Sequence, residues 1–274
     1  MLDRLSLTFA LFVPALSAQA ATPEEVQGLF DAMGLPELVE VMRQEGLAYG
    51  EDIARDMLGG ASAPDWQARV GAIYDTDLME RSLLTGLQSE LAEAEIGPVV
   101  AFFESETGQE IIGLELAARR AMLDDAVEEA AREAAAIAMA DETDRHALIE
   151  AYAEANDLIE TNVVGALNAN LAFYQGLAMG GALPADLTED QILRDVWAQE
   201  PEIRVSTTEW VYGFLTLAYE PLEDAELTAY TEFSLTPEGR VLNRALFAAF
   251  DGLFNDISRA LGLEVAQELS SARL

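Results

Sequence analysis

The sequence has no cysteine, no lysine and a single histidine among 274 residues. Without cysteine there is no disulfide, no thiolate zinc site, no cysteine nucleophile and no lipidated N-terminal cysteine. All fifteen basic residues are arginine, set against 50 acidic ones, for a formal charge of −35. That balance excludes nucleic acid as a partner, because phosphate neutralisation needs clustered cations, and it opposes docking on anionic lipid. No Gly-x-Gly-x-x-Gly or P-loop signature is present for a nucleotide, and no Gly-x-Ser-x-Gly elbow for a serine nucleophile. No cofactor and no metal is expected. What is present is a chain that folds: 51% of residues are apolar and 24% charged, unlike an acidic disordered tail. Residues 21–150 hold 29 acids and 8 Arg, and residues 151–274 hold 20 acids and 6 Arg. The charge therefore belongs to solvated helix faces throughout and bears on solubility rather than on activity.

Residues 1–20 read as a signal peptide. A short charged start with Asp3 and Arg4 precedes an apolar run from Leu5 to Leu16, and small residues at Ala18 and Ala20 precede a cut between Ala20 and Ala21. The run is too short to span a bilayer, which takes roughly 20 apolar residues. Export to the periplasm as a soluble protein is the expectation, with no stable membrane anchor after cleavage.

From Ala21 onward the pattern is helical. Ala, Leu and Glu dominate, and strand-like alternation is missing. Thr22-Pro23-Glu24-Glu25 and Thr188 to Gln191 are capping boxes. Gly34 with Pro36, Gly59-Gly60, and Gly180-Gly181 with Pro184 mark helix ends, and Pro64 restarts the chain into a helix around Trp66 to Gln88. Leu148, Tyr152, Ala155, Ile159, Val163, Ala166, Asn170, Phe173 and Leu177 follow steps of three and four, which predicts one long amphipathic helix with a core-facing stripe.

Sliding the chain on itself by 131 residues gives an ungapped match. Leu91, Ala94, Glu95, Phe102, Gly108 and Ala118 meet Leu222, Ala225, Glu226, Phe233, Gly239 and Ala249, while Trp66 meets Trp197. At a shift of 130, Gly46 and Gly50 meet Gly176 and Gly180. So long a period indicates duplication of a domain and not a solenoid. Thr236 is expected to cap a helix starting at Pro237, with Gly239 in its first turn, and Ser105 with Gly108 to repeat this without the proline. A glycine there lets two helices meet in a tight corner. Glu95 and Glu226 are expected in the first turn of the preceding helix, at the positive end of its dipole. The two Gly-x-x-x-Gly elements should pack helices closely at equivalent places in the two halves.

The series Ala225, Glu226, Leu227, Phe233, Thr236, Pro237, Gly239 and Arg240 resembles the exported bacterial family called domain of unknown function 2059. Ala94-Glu95-Ile96 to Ser105-Glu106-Thr107-Gly108-Gln109 is similar to a less complete copy. The resemblance implies a small helical domain, export to the periplasm, and no catalytic residue to carry over.

Candidates for chemistry are few. His146, with Glu142 and Glu150 at i−4 and i+4, reads as a surface histidine of an acidic helix, because the Glu-x-x-His template of di-iron bundles would need Glu where Thr143 stands. Asp75-Thr76-Asp77 starts like a calcium loop but lacks its glycine and final glutamate. Glu95 and Glu226 form an imaginable carboxylate pair, already explained by helix starts. The expected architecture is all-α, a helical bundle of two homologous halves, residues 21–150 and 151–274, around a shared apolar interface. The expected function is a non-enzymatic periplasmic binding or protein-interaction module. The alternative is a carrier holding a small apolar ligand between the halves, with Phe102, Phe103, Tyr230 and Phe233 as lining.

Overall fold

The computed structural model describes residues 20–60, 65–184 and 186–271. All of the expected signal peptide except Ala20 lies outside the described residues. Ala20 is exposed, and the Ala21 amide donates to the Ala94 carbonyl at 3.1 Å.

The described residues form helices and no strands, so the fold is all-α. The first group is α1 (Pro23–Ala32), α2 (Leu35–Asp56), α3 (Trp66–Ile73), α4 (Thr76–Glu90), α5 (Gly97–Phe103), α6 (Glu106–Ala121) and α7 (Asp125–Ala140). The second is α8 (Asp144–Ala155), α9 (Leu158–Met179), α10 (Glu189–Trp197), α11 (Glu200–Tyr219), α12 (Asp224–Ser234) and α13 (Pro237–Ser271). None is long and apolar enough to cross a membrane.

Both capping boxes form: Thr22 with Glu25 opens α1 and Thr188 with Gln191 opens α10. Two helices predicted as continuous are broken. The segment around Trp66 to Gln88 splits at Tyr74, because Asp75 accepts the Leu78 amide at 3.0 Å and starts α4 as its N-cap. The calcium-like Asp75 is thus a helix cap. The long stripe from Leu148 to Leu177 splits at Asn156 and Asp157, where Asp157 takes φ +52° and the buried Asn156 amide turns back onto the Tyr152 carbonyl at 3.0 Å. Tyr152, Val163 and Leu177 of that stripe are buried and Leu148, Ile159 and Phe173 are partly so, now on two helices.

The glycine corners form as expected, twice. Ser105 Oγ accepts the Gly108 amide at 3.1 Å and Thr236 Oγ1 accepts the Gly239 amide at 3.0 Å. A Cβ at Gly108 would lie 2.1 Å from the Phe102 carbonyl oxygen, and one at Gly239 would lie 2.3 Å from that of Phe233. Real carbon atoms do not approach so closely, so each corner requires glycine. Between the corners Phe102 stacks on Phe233, with centroids 4.0 Å apart and planes 7° from parallel. Glu226 sits in the first turn of α12 and accepts the Glu223 amide at 3.0 Å. Glu95 does not repeat this: it is exposed and precedes α5, whose first turn is Gly97-Pro98.

Other expected equivalences fail. Trp66 is buried and donates its indole N–H to the Gly50 carbonyl at 2.9 Å, whereas Trp197 is 56% exposed. Gly46 and Gly50 receive Tyr74 and Val70 of the α3 region, while Gly176 and Gly180 receive α13 at Arg259, Gly262 and Ala266. Both glycine pairs pack helices, but against different partners. His146 is buried, not on the surface; its ring lies 5.4 Å from that of Tyr212 and its Nδ1 has no hydrogen-bond partner among the described residues. Glu142 precedes α8, at φ +49°, so it is not on the histidine's helix.

One core cluster joins both groups of helices. Leu29, Leu83, Leu87 and Ile111 share it with Tyr219, Leu227, Leu261 and Val265, all nearly or wholly removed from solvent. Each such side chain contributes roughly 1.5–3 kcal/mol through burial of apolar surface. A smaller cluster of Val163, Leu167, Ile192 and Val196 ties α10 to α9.

Candidate functional site, an apolar cleft with a buried carboxyl

Residues 21–150 and 151–274 do not pack everywhere. A cleft of about 830 Å³ remains, lined by α2, α5 and α6 from one side and by α8, α9, α11, α12 and α13 from the other. Its walls are mostly apolar, with Leu38, Ile112, Leu116, Phe214, Leu246 and Phe250 among the lining. Phe103, Tyr230 and Phe233, three of the four residues expected to line such a space, do so. The fourth, Phe102, lies behind them, stacked on Phe233.

Tyrosines and one acid close the inner end. The rings of Tyr152, Tyr219 and Tyr230 lie within 4.8 to 6.3 Å of one another. The Tyr219 hydroxyl donates to Glu115 Oε1 at 2.6 Å. Burial pushes the Glu115 carboxyl up to about 7, against the opposing effect of hydrogen bonds from Tyr219 and Tyr230. Burial also pushes the phenols of Tyr152, Tyr219 and Tyr230 up, and the nearby Glu115 charge adds to this. Glu115 keeps a small part of its surface open to the cleft it lines.

Helix positions explain how these groups meet. Ile111, Ile112 and Ala118 form the buried face of α6, and Glu115 falls between them at helical spacing. Tyr219 is the last residue of α11. Its carbonyl and that of Leu222 accept the Arg145 guanidinium, which reaches over from α8 and also pairs with Asp224 at 2.5 Å. Arg119, one turn beyond Glu115, turns away from it: two bonds of 2.8 Å join it to Glu45, and it lies 4.6 Å from the centre of the Trp210 ring. Phe214 stacks on that ring in turn, 5.4 Å away.

The sequence candidates for chemistry do not meet here. His146, Glu95, Glu226 and Asp75 are all outside the cleft lining. Sequence reading passes over Glu115 and Tyr219 and places Tyr152 only on a core-facing stripe. The available signal was an acid on the apolar stripe of α6, at i+4 from Ile111 and i−3 from Ala118.

Residues 77–136 match the family model described as "Uncharacterized protein conserved in bacteria (DUF2059)". No curated protein and no solved structure matches the chain. The matched segment carries the Gly108 corner and Glu115, whereas the Gly239 corner, whose sequence motif is fuller, lies outside it. From Asp77 in α4 to Ala136 in α7, the chain is similar to this bacterial family of uncharacterised proteins.

Proposed function

We propose that the protein is an exported, non-enzymatic binding protein, built by duplication of a helical unit, that carries a small and largely apolar ligand in the cleft. The cleft itself carries this reading. Its volume of about 830 Å³ falls in the range of small-molecule sites, and its apolar walls converge on a few polar groups, as such sites do. The repeated glycine corner and the Phe102–Phe233 stack support the duplication. A catalytic role has little support, since Glu226 serves as a helix cap and Glu95 is exposed. Export rests on the pattern of residues 1–20.

A protein-interaction role is the second reading, favoured by one patch. Val164 and Trp197 are each about half exposed, and they border a recess of about 280 Å³ beside Arg204. Titration with the uncharged fluorescent probe N-phenyl-1-naphthylamine separates the readings. Saturable binding is expected, and Ala169→Trp, which fills the cleft from α9, should abolish it while circular dichroism stays helical. Trp197→Ser should leave it intact. A folded Ala169→Trp protein that binds the probe normally would rule out the cleft as the site.

A further inference from the structure

Resting on that reading, we infer that the natural ligand is an amphiphile with one cationic amine head, its apolar body filling the cleft and its ammonium seated against Glu115. The argument is one of charge. The charged residues lining the cleft are Glu115, Arg119 and Asp251. Arg119 is neutralised by Glu45, and Asp251 accepts amide bonds of 3.0 Å from Asn168 and Asn255. Glu115 meets neutral phenols and forms no ion pair among the described residues. A carboxylate removed from water without a cation is costly.

An ammonium supplies the missing charge. The surrounding rings suit it as well, because aromatic faces attract cations most strongly where water is excluded. An anionic head would be repelled at the same place, and a hydroxyl would gain one neutral hydrogen bond. The overall charge of −35 also concentrates cations around the molecule. The titratable groups facing Glu115 are the phenols of Tyr152, Tyr219 and Tyr230, all held neutral by burial. Glu115 itself, held near 7, should therefore give up its proton when an ammonium arrives.

The test is calorimetric titration of the full chain with decylamine, decanol and decanoate, each below its aggregation concentration. Decylamine should bind at least about tenfold tighter than decanol, the usual worth of a charge-assisted contact, and decanoate weakest. Glu115→Gln should bring decylamine down to decanol, while Glu129→Gln, an exposed acid on α7, should preserve the preference. Should Glu115→Gln fail to fold, proton release by the unaltered chain, read from buffers of differing ionisation enthalpy, decides the matter. It is expected with decylamine and not with decanol. Equal binding of decylamine and decanol, or a preference that survives Glu115→Gln, overturns the amine head alone and leaves the apolar cleft standing. If none of the three binds, the amine head is overturned; if N-phenyl-1-naphthylamine does not bind either, both proposals fall.

Discussion

The helices that leave the two glycine corners begin alike and end differently. After Gly108, α6 stops at Ala121, and a new helix, α7, starts at Asp125. The second corner's helix, α13, holds Gly239 in its first turn and is unbroken over all its 35 residues. The break falls between Ala121 and Asp125. Asp124 folds its carboxylate onto the Ala126 amide at 2.9 Å and caps a fresh helix. At the corresponding place Asn255 donates along its own helix to Asp251 at 3.0 Å, and the helix continues. Freed by its break, α7 lies along α11, whereas α13 runs along α9 through the Gly176–Gly262 crossing. The same corner chemistry therefore yields different neighbours, and the space left unfilled between α6 and α13 becomes the cleft. The lesson extends to the site: 131 positions after Glu115 stands Leu246, which lines the same cleft. One wall carries a carboxyl where the other carries an alkyl group.

The largest expected effect breaks the likeness of the corners. Gly108→Ala and Gly239→Ala each force a carbon onto a backbone carbonyl, and each should cost about 3 kcal/mol in denaturant unfolding. Gly113→Ala on α6 has nothing within 4 Å of the new carbon, so a gain of about 0.5–1 kcal/mol is expected there from helix propensity. If only one corner substitution is costly, the two corners are not the same device.

The difference between Glu115 and Leu246 should appear as a pH dependence. Glutamate ordinarily titrates near 4.5, and in the folded chain Glu115 is raised to about 7. The folded state thus holds the proton more tightly. The stability that follows is complete below the ordinary value and is lost as pH rises through about 7. Glu115→Gln should remove a decline on the order of 2 kcal/mol between about pH 5 and about pH 8. An unchanged difference between denaturation midpoints at those two pH values would mean the carboxyl is solvated.

The smallest effect concerns the helix break. Asp124→Ala removes the cap of α7 and should cost about 1 kcal/mol, with loss of amide protection confined to the start of α7. Protection lost along α11 as well would show that the cap holds the α7–α11 packing in place.

Much of the local structure was legible beforehand because it depends on near neighbours. Thr22, Ser105, Thr188 and Thr236 bond to amides three residues away, and such short-range caps follow from residue type and spacing. The breaks at Asp75 and Asp157 were missed for a related reason. Periodicity carries across an interruption of one or two residues, and an aspartate, though favoured at caps, is also tolerated on the solvent face of a continuous helix. His146 was misplaced because acidic neighbours in sequence say nothing of Tyr212, which reaches it from α11.

The candidate site was less legible. Glu115 is one of 50 acids, and its partner Tyr219 stands 104 residues away. Composition and local pattern were enough to determine an all-helical chain, its capped helix starts and its two glycine corners, since those rest on backbone geometry and contacts within a turn. Tertiary structure alone decided that α13 would pair with α9, that the helices would leave a cleft, and that a carboxyl would sit there among tyrosines with no cation beside it among the described residues. Those outcomes depend on how whole helix faces fit together, and no window of sequence contains both faces.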